Sequence, residues 1–443
     1  MIFQDYAAII LVLGTLAGLI FAAPKAAQRL SLDAEDTRKL VHLIMGLSCL
    51  SFPWIFSSPL PLIVLQALVF PALLILRKMP PNKYKSVLFA VKRNSLGEIF
   101  FPLAVTTIFI LAGDNKSFYV IPVAILALAD SLAALVGTRI GVRKYRSVDG
   151  SKTIEGSMTF FITSFLCSLL VLALTPLQFH SHYIIVSLIL ALVATACEGM
   201  SFAGLDNLLV PLGAYYALVR CSRLSGGEIL YHFLVLLAIA VTVLLLKKRT
   251  TLEGGATLAV LIYGFAAHIL GGFLWFSLPI ILFAFYRLLL PVRFKSTSHS
   301  IFAVISVAFG GLLWLLAYDK WSNNSMLYPY ALGLAINASI IASAHIRVHK
   351  LNSGKVIAAK LRIIAQNSLK SAALIMLPLL VTTAKTSLLM LNILFSPLWI
   401  MAFTVAFLLI KNQNPVEITS QGRWLKQCLC SSMGSLLAFV ATL

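Results

Sequence analysis

Charge is scarce along this chain. Only 11% of its 443 residues are Asp, Glu, Lys or Arg, whereas a soluble domain carries about 25%. Hydrophobic residues make up 60% of the sequence. These proportions exclude a water-soluble globular protein, because so few charged side chains could not cover its surface. The sequence instead predicts a polytopic integral membrane protein.

Strict alternation of apolar and polar residues is also missing. The apolar runs are continuous, which favours membrane-spanning helices over the strands of a β-barrel. Since about 17–25 apolar residues cross a bilayer as a helix, the sequence predicts an all-α fold with about 14–16 transmembrane helices. The run 206–219 is short enough to be re-entrant instead. The predicted spans are 6–23, 40–57, 59–76, 97–113, 118–137, 155–174, 183–199, 206–219, 228–246, 254–270, 272–291, 301–317, 326–345, 368–384, 388–410 and 428–443.

Basic residues are nearly absent from every second loop. Of the 35 Lys and Arg residues, 30 lie in alternate loops between the predicted spans and five lie in the opposite loops. By the positive-inside rule, the basic loops are expected to be cytoplasmic and both termini to be outside. The same rule accounts for the net charge of +20, so no nucleic-acid partner is needed to explain it.

Carboxylates are the scarcest charged groups. Thirteen of the 15 Asp and Glu residues lie at or before residue 253, which divides the chain into an N-terminal part, 1–225, and a C-terminal part, 226–443. Pairing with a nearby Lys or Arg explains Glu98. Asp130 lies about 10 Å inside its span at 1.5 Å per residue, and a carboxylate at that depth is a functional-site candidate. Five carboxylates lie at or near predicted cytoplasmic helix ends: Glu98, Asp130, Glu155, Glu198 and Asp206.

Carboxylates on one plane beside basic loops suit a site for magnesium and a nucleotide. Mg²⁺ prefers hard oxygen ligands that it shares with phosphates, while Lys and Arg neutralise phosphate charge. The segment VDGSKTIEGSMTFF, residues 148–161, places Lys152 in a turn before a helix N-terminus, where backbone N–H groups bind anions. The positive-inside rule alone also explains the basic residues of this loop. A P-loop is excluded, because no G-x-x-x-x-G-K-[ST] pattern occurs.

A further polar patch, TRKLVHLIMG at residues 37–46, begins a predicted span. Arg38 and His42 are four residues apart and therefore share a helix face. His42 is either a packing residue or a hydrogen-bond partner for a substrate hydroxyl. Neither the histidines nor the six cysteines show the spacing of a metal site.

Four short motifs follow one another between residues 38 and 211, somewhat less than half of the chain. They are Arg38-Lys39-x-x-His42-x-x-x-Gly46, Ala129-Asp130 with Ala133-Ala134-x-x-Gly137 and Gly141, Lys152-Thr153-x-Glu155-Gly156-Ser157, and Asp206-Asn207-x-x-x-Pro211. In this order they resemble the CTP-dependent membrane kinases of isoprenoid alcohols, the phytol, farnesol and dolichol kinases. The resemblance implies that the γ-phosphoryl group of CTP is transferred to a membrane lipid alcohol at the cytoplasmic face. The lipid tail is then expected to lie between helices.

The resemblance also implies a role for each motif residue. Asp130, Glu155 and Asp206 are expected to bind Mg²⁺ and, together with His42, to act in catalysis. The expected partners are CTP with Mg²⁺, a lipid alcohol and the bilayer. The residues expected to hold CTP are Arg38, Lys39, Gly137, Arg139, Lys152, Thr153, Gly156, Ser157 and Asn207.

Two other functions fit part of the pattern. Phosphatidate cytidylyltransferases share a Lys-Thr-x-Glu-Gly type motif, but their later Ser-x-x-Lys-Arg stretch and Asp-Arg pair are absent, and LDNLLVP stands at 205–211 instead. A membrane transporter would place ionisable groups near the midplane in two repeated halves. No such repeat is found in this sequence, so the kinase is favoured.

The C-terminal part carries little that predicts chemistry. Residues 247–289 resemble the opening of the phytyl-phosphate kinase-like membrane family, with a Thr-rich start and a Gly-Gly-x-x-Trp-Phe helix. That family's Gly-Thr-Asn-Gly-Gly type loop is missing, and only Asp319 and Glu417 follow as carboxylates. We therefore expect a helical scaffold or a lipid-binding half in place of a second active site.

Overall fold

The computed structural model of this chain describes residues 2–78, 95–175, 182–289, 299–344, 346, 354–383, 387–410 and 421–441. Across these ranges nearly all regular structure is helical, and one two-stranded sheet is present. The predicted all-α membrane fold is therefore confirmed. Much of the predicted basic loops 77–96, 287–300, 346–370 and 411–427 lies outside the described residues.

The helices of the first half are α1 (Ile2–Leu30), α2 (Ala34–Cys49), α3 (Phe52–Ile55), α4 (Leu60–Lys78), α5 (Gly97–Ala112), α6 (Lys116–Ala124), α7 (Asp130–Arg139), α8 (Ile154–Leu174), α9 (Tyr183–Met200), α10 (Asp206–Cys221) and α11 (Gly226–Leu246). A π-helical stretch, Ile125–Ala129, joins α6 to α7, and the strands β1 (Lys144–Ser147) and β2 (Gly150–Thr153) precede α8. The later helices are α12 (Gly254–Leu289), α13 (Ile301–Trp321), α14 (Leu327–Ser343), α15 (Gly354–Thr383), α16 (Ser387–Ile410) and α17 (Gln421–Val440), with 3₁₀ turns at Lys247–Arg249 and Asn324–Met326.

Eleven helical segments within the described ranges are long and apolar enough to cross a bilayer, fewer than the spans predicted. The predicted spans 40–57, 97–113 and 206–219 correspond to α2, α5 and α10, which have only 16 residues each. The last predicted span corresponds to α17, whose first turns carry Arg423 and Lys426. Two further predicted spans form one element, α12, which is bent at Gly272 with φ +79°.

Contacts between helices divide the described chain into two compact units, Met1–Leu236 and Leu237–Leu443. The boundary lies inside α11, a little after the boundary at 225/226 that the distribution of carboxylates predicts. We refer to these parts as the N-terminal unit and the C-terminal unit. The functional division between them remains a prediction from the sequence.

The core of the N-terminal unit forms around α5 and α6. Tyr119 of α6 is almost fully buried, and its hydroxyl donates to the carbonyl of Cys49 at 2.8 Å. Tyr215 of α10 donates in the same way to the carbonyl of Leu111 at 2.6 Å. Such bonds satisfy phenol groups in apolar surroundings. They tie α2 and α10 to the central helices, and both of these helices carry predicted site residues.

The β1–β2 hairpin carries the polar segment that leads into α8. Its strands pair antiparallel, with Tyr145 opposite Lys152. Gly150 begins the second strand with φ +126°, a conformation that favours glycine. Thr153 ends this strand and caps α8, because its Oγ1 accepts a hydrogen bond from the N–H of Gly156 at 3.2 Å. The hairpin therefore fixes Lys152 directly beside the start of α8.

The C-terminal unit is built around α14, and nearly all side chains of this helix are buried. Its polar side chains form neutral hydrogen bonds with neighbouring helices. The amide of Gln427 donates to Oδ1 of Asn337 at 2.9 Å, and the hydroxyl of Thr404 donates to that of Ser339 at 2.8 Å. Bonds of this kind stabilise helix packing in membranes.

Candidate active site

Asp130, at the start of α7, forms a charged cluster with α2. Lys39 Nζ lies 2.6 Å from Asp130 Oδ2, and His42 Nε2 lies 3.7 Å from the same oxygen. The three side chains are only 12–15% exposed, so water screens their charges weakly. Nε2 of His42 is buried and has no hydrogen-bond partner among the described residues. Three residues that the sequence predicted as functional are thus brought together.

The backbone around Asp130 explains how this carboxylate reaches α2. The π-helical stretch Ile125–Ala129 ends one residue before it, and such widened turns are frequent at functional sites. Gly46 of α2 packs against this stretch so closely that a Cβ atom at Gly46 would overlap the side chain of Ala127. The glycine of the first motif therefore lets α2 approach the stretch and brings its polar residues to Asp130.

Lys152 of the hairpin is paired with Glu198, near the end of α9. Its Nζ lies 2.8 Å from Glu198 Oε1 and also donates to the backbone carbonyl of Glu198. Burial lowers the pKa of Lys152, but the negative charges of Glu198 and Asp206 outweigh this effect and raise the pKa above its usual value. Lys152 therefore stays positively charged at neutral pH. Oε2 of Glu198 is buried and has no donor among the described residues.

Asp206 and Asn207 open α10 beside the start of α5. Nδ2 of the buried Asn207 donates to the carbonyl of Gly97 at 2.9 Å, which fixes α5 against α10. The charge of Asp206 acts on both Lys152 and His42. Asp206 is therefore electrostatically linked to both charged clusters.

Glu155, on the first turn of α8, binds backbone groups of the preceding loop. Its two carboxylate oxygens accept hydrogen bonds from the N–H groups of Val142 at 3.1 Å and Arg143 at 3.2 Å. These bonds fasten the loop between α7 and β1 to the start of α8. The carboxylate thus shapes the loop, and its predicted role as a metal ligand remains a prediction.

Other residues of the motifs lie where α7 and α8 pack together. A Cβ atom at Gly137 would come within 2.9 Å of Thr153 Oγ1, and one at Gly156 would come within 3.3 Å of Gly137 Cα. Small residues of this kind allow two helices to approach closely. The hydroxyl of Ser157 lies 2.9 Å from that of Tyr145 on β1. These contacts hold the hairpin against both helices.

The two predicted arginines differ in their surroundings. The side chain of Arg139 is 61% exposed, and its Nη2 lies 3.3 Å from Oδ2 of Asp36. Exposed ion pairs of this kind contribute only about 0–1 kcal/mol. Arg38 lies one turn before His42 on α2, where it lines a cavity.

That cavity, of about 300 Å³, lies between α1, α2, α4 and α5. At one end it is lined by Arg38, His42, Glu98 and Asn207, whereas its remaining walls are mainly apolar. Oε2 of Glu98 is buried and has no hydrogen-bond partner among the described residues. The cavity thus combines a polar end, which adjoins the Asp130 cluster, with walls of hydrocarbon.

The contacts of these carboxylates bear directly on the predicted magnesium site. The described residues contain no group of three or more His, Cys, Asp or Glu side chains placed to hold a metal ion. Asp130 is engaged with Lys39, and Glu155 with backbone N–H groups. Mg²⁺ that is bound to a nucleotide needs only one or two protein carboxylates, because phosphate oxygens and water complete its coordination. The donor set therefore fits an ion shared with phosphates better than an ion held by protein alone.

Two carboxylates near this site were not among the predicted functional residues. Glu198 pairs with Lys152, and Glu98, which sequence reasoning assigned to an ordinary ion pair, lines the cavity. The small number of carboxylates in the chain is the signal that could have identified these two. In a chain with 15 carboxylates, each one at a predicted cytoplasmic helix end is a candidate.

Comparison with known proteins identifies two related kinases. The chain is 32% identical to phytol kinase of Synechocystis sp. over 206 residues. This aligned region makes up 45% of this chain and 85% of the Synechocystis protein. The chain is 29% identical to dolichol kinase of Saccharomyces cerevisiae over 128 residues. This aligned region makes up 28% of this chain and 23% of the yeast protein. No protein-family model and no solved structure matches the chain. Because the similarity extends over most of the Synechocystis protein, this chain belongs to the phytol kinase family of isoprenoid alcohol kinases.

Proposed function

We propose that this protein phosphorylates a membrane isoprenoid alcohol with CTP as the phosphoryl donor, at a site in the N-terminal unit. Similarity to phytol kinase and dolichol kinase supports phosphoryl transfer to an alcohol of this class. The observation that carries the proposal is the presence of two buried clusters, Lys39 with Asp130 and Lys152 with Glu198, and the link of Asp206 to both. Buried ionisable groups in membrane proteins are unfavourable and usually serve function.

The two lysines supply positive charge for the phosphates of the donor. During phosphoryl transfer, negative charge moves towards the leaving nucleoside diphosphate, and nearby ammonium groups stabilise it. Lys39 and Lys152 are each held by a carboxylate, so their positions are fixed before a nucleotide binds. A donor group that is already in place loses little conformational freedom during the reaction.

Magnesium is expected to enter the site with CTP, and it would reduce the charge of the phosphate oxygens. Asp130 and Asp206 are the residues that we expect to contact it. Glu155, the third predicted ligand, is expected to hold the loop before β1 through its backbone bonds. Removal of divalent ions with EDTA should abolish turnover, and addition of Mg²⁺ should restore it.

We place the site on the cytoplasmic side of the membrane. Lys39, Glu98, Glu155 and Asp206 lie at the starts of their helices and Glu198 near the end of α9, all at ends that the positive-inside rule predicts to be cytoplasmic. CTP is a highly charged molecule that does not cross the bilayer unaided. Labelling of single-cysteine variants in the β1–β2 hairpin from either side of sealed vesicles tests this orientation.

Product analysis with labelled CTP tests the function itself. The full-length protein in nanodiscs is given Mg²⁺, CTP and either phytol, farnesol or dolichol, and we expect the prenyl monophosphate and CDP. If phosphatidate and CTP instead yield pyrophosphate and CDP-diacylglycerol, the protein is a cytidylyltransferase and the proposal is wrong. Equal rates with ATP, GTP or UTP would contradict only the proposal that CTP is the donor, and not the proposed kinase activity.

For the C-terminal unit we propose a scaffold or lipid-binding role. The carboxylates in its described part are Glu253 and Asp319, and Glu417 lies outside the described residues. The hydrogen bonds around α14 are neutral. Neutral bonds supply no charge for phosphates or metal ions, which is why a second phosphoryl-transfer site is not proposed there.

A further inference from the structure

We propose that the cavity between α1, α2, α4 and α5 binds the alcohol substrate, and that Glu98 binds its hydroxyl group and accepts its proton. This assignment rests on the proposed function, because it states where the lipid substrate of that reaction lies. Glu98 belongs to none of the four sequence motifs. Its position at the polar end of the cavity is the reason for the assignment.

Glu98 is placed to accept a hydrogen bond from a ligand. Its Oε2 is buried, and no described residue donates to it. A buried acceptor without a donor is unfavourable by about 1–3 kcal/mol, and by more when it is charged. An alcohol offers one O–H donor, which would satisfy this oxygen. The bond between Asn207 and the carbonyl of Gly97, one residue earlier, fixes the turn on which Glu98 lies.

The polar end of the cavity adjoins the cluster that we assign to the nucleotide. His42 lines this end and lies 3.7 Å from Asp130. Its ring packs edge-on against Phe101, with the ring centroids 4.7 Å apart, and Phe101 is one turn along α5 from Glu98. A hydroxyl at Glu98 is therefore next to the site where the donor phosphates are expected.

The remaining length of the cavity suits a hydrocarbon tail. Lining residues recur on one face of α2 from Arg38 to Cys49, which spans about 16 Å at 1.5 Å per residue. Leu62 and Phe101 are buried in its wall, whereas Leu68 of α4 is 52% exposed. Since α4 can cross a bilayer, this exposed side gives the tail an entrance from the lipid. Because lipid is as apolar as this wall, the tail is held by van der Waals packing against the lining side chains and not by removal from water.

The proposed step balances with the alcohol and CTP alone. The hydroxyl oxygen attacks the γ-phosphorus of CTP and forms a new P–O bond. The bond from the γ-phosphorus to the β–γ bridging oxygen breaks, and CDP leaves with its electron pair. The proton of the hydroxyl passes to Oε2 of Glu98, which acts as the general base.

Glu98→Gln tests the role of this carboxylate in the full-length protein in nanodiscs. We expect kcat with phytol to fall by about 100-fold, as for loss of a general base, while the KM for CTP stays within about twofold. Glu228→Gln is the matched control, because Glu228 is on an exposed turn and caps α11 through Ser225. The control should keep the wild-type rate. Wild-type rates in Glu98→Gln, or a rise in the KM for CTP as its main defect, would overturn the assignment.

A pair of substitutions on α4 tests the tail site. Ala72 lines the cavity at its exposed side, whereas Ile75, 64% exposed, lies outside the cavity wall. Ala72→Phe should raise the KM for phytol by about tenfold but change that for geraniol, which has a shorter tail, by no more than about twofold. Ile75→Phe should change neither constant. Equal effects of the two substitutions would overturn the tail site.

A phytol analogue with a diazirine in its tail separates this inference from the proposed function. Phosphorylation of the analogue with crosslinks to α1, α2, α4 or α5 supports both. Phosphorylation with crosslinks confined to the C-terminal unit overturns the cavity assignment and leaves the kinase function intact. If the wild-type protein phosphorylates no prenol at all, both are overturned. The experiment uses the wild-type protein, so it decides where the tail binds even if Glu98→Gln does not fold.

Discussion

The two units of this protein bury polar groups of different kinds. In the N-terminal unit, Lys39 lies 2.6 Å from Asp130 and Lys152 lies 2.8 Å from Glu198. In the C-terminal unit, the hydrogen bonds that hold α14 join uncharged side chains, such as the amide of Gln427. Both units consist of apolar helices that can cross a membrane. The requirement to fold in a bilayer therefore does not by itself explain the buried ion pairs of the N-terminal unit.

The cost of burying charge makes the difference informative. Removing two ions from water can cost more than their mutual attraction returns, so a buried ion pair is weak evidence of a stabilising role. Hydroxyl and amide bonds between membrane helices contribute about 0.6–2 kcal/mol each without that penalty. We therefore interpret the ion pairs of the N-terminal unit as functional and the neutral bonds of the C-terminal unit as structural.

The largest effect is expected from Asp130→Asn. The amide leaves Lys39 as a buried cation without its counter-ion and removes a predicted ligand of Mg²⁺. We expect kcat/KM for phytol to fall by at least about 100-fold, or about 2.7 kcal/mol. The matched control is Asp319→Asn in the C-terminal unit, which should remain near the wild-type rate. An equal loss in the control would contradict the contrast between the two units.

A somewhat smaller effect is expected from Glu198→Gln. The substitution keeps the shape of the side chain but removes the charge that holds Lys152. Activity should fall by about 10- to 100-fold, mainly through a higher KM for CTP, because the lysine is then free to leave the phosphate site. A fall in kcat with an unchanged KM for CTP would show that Lys152 does not hold the nucleotide.

The same variant also tests the charge state of Lys152. Its pKa is raised in the folded protein, so the stabilising pair is fully present below the unfolded-state value of about 10.4. The contribution is lost only as the pH rises through the higher folded-state value. The difference in Tm between wild type and Glu198→Gln should therefore stay constant between about pH 6 and pH 9. A difference that disappears within this range would show that another group titrates there.

A moderate effect on stability is expected from Gly46→Ala. The added methyl group must displace Ala127, and overpacking of this kind costs about 1–3 kcal/mol. Because Gly46 sets the approach of α2 to Asp130, the rate of phosphorylation should fall as well. Gly18→Ala on α1 is the control, since no side chain and no other helix lies within 4 Å of the added methyl group. Thermal unfolding of the two variants in the same detergent measures the difference.

The smallest effect is expected from Gln427→Leu in the C-terminal unit. It removes the donor to Asn337 and should lower the free energy of unfolding by about 0.6–1.7 kcal/mol, with an unchanged rate of phosphorylation. Replacement of both partners by leucine should restore part of the stability, because no buried acceptor is then left without its donor. A large loss of activity in Gln427→Leu would show that the C-terminal unit takes part in catalysis.

Composition alone predicted the class of fold, because so little charge is compatible only with a membrane environment. It also directed attention to Asp130 and Lys152, since a charge in an apolar run needs an explanation. Their partners were harder to predict. Glu198 is 46 positions from Lys152, and only the packing of α9 against the hairpin brings the two together. A single sequence does not show which residues that are far apart in the chain lie close together in the fold.

Local geometry accounts for the other differences. The contact of Glu155 with a metal ion stays a prediction, whereas its bonds to N–H groups were not foreseen, because no motif encodes the course of that loop. Fewer long spans are found among the described residues than were predicted, because α2, α5 and α10 are short, α17 begins with charged residues and two predicted spans form α12. The cavity beside Glu98 was not predicted, because it is formed by four separate helices. Sequence motifs do not show that four helices enclose a cavity.

One residue more or fewer in the π-helical stretch before Asp130 would change the orientation of its side chain. The π-helical stretch Ile125–Ala129 makes one turn wider than an α-helical turn would be. Each residue of an α-helix advances the chain by about 100° around the axis, so deletion of one residue here would turn Asp130 away from Lys39. A larger side chain at Ala127 would overlap Gly46, and a frame-preserving deletion in the stretch should abolish activity.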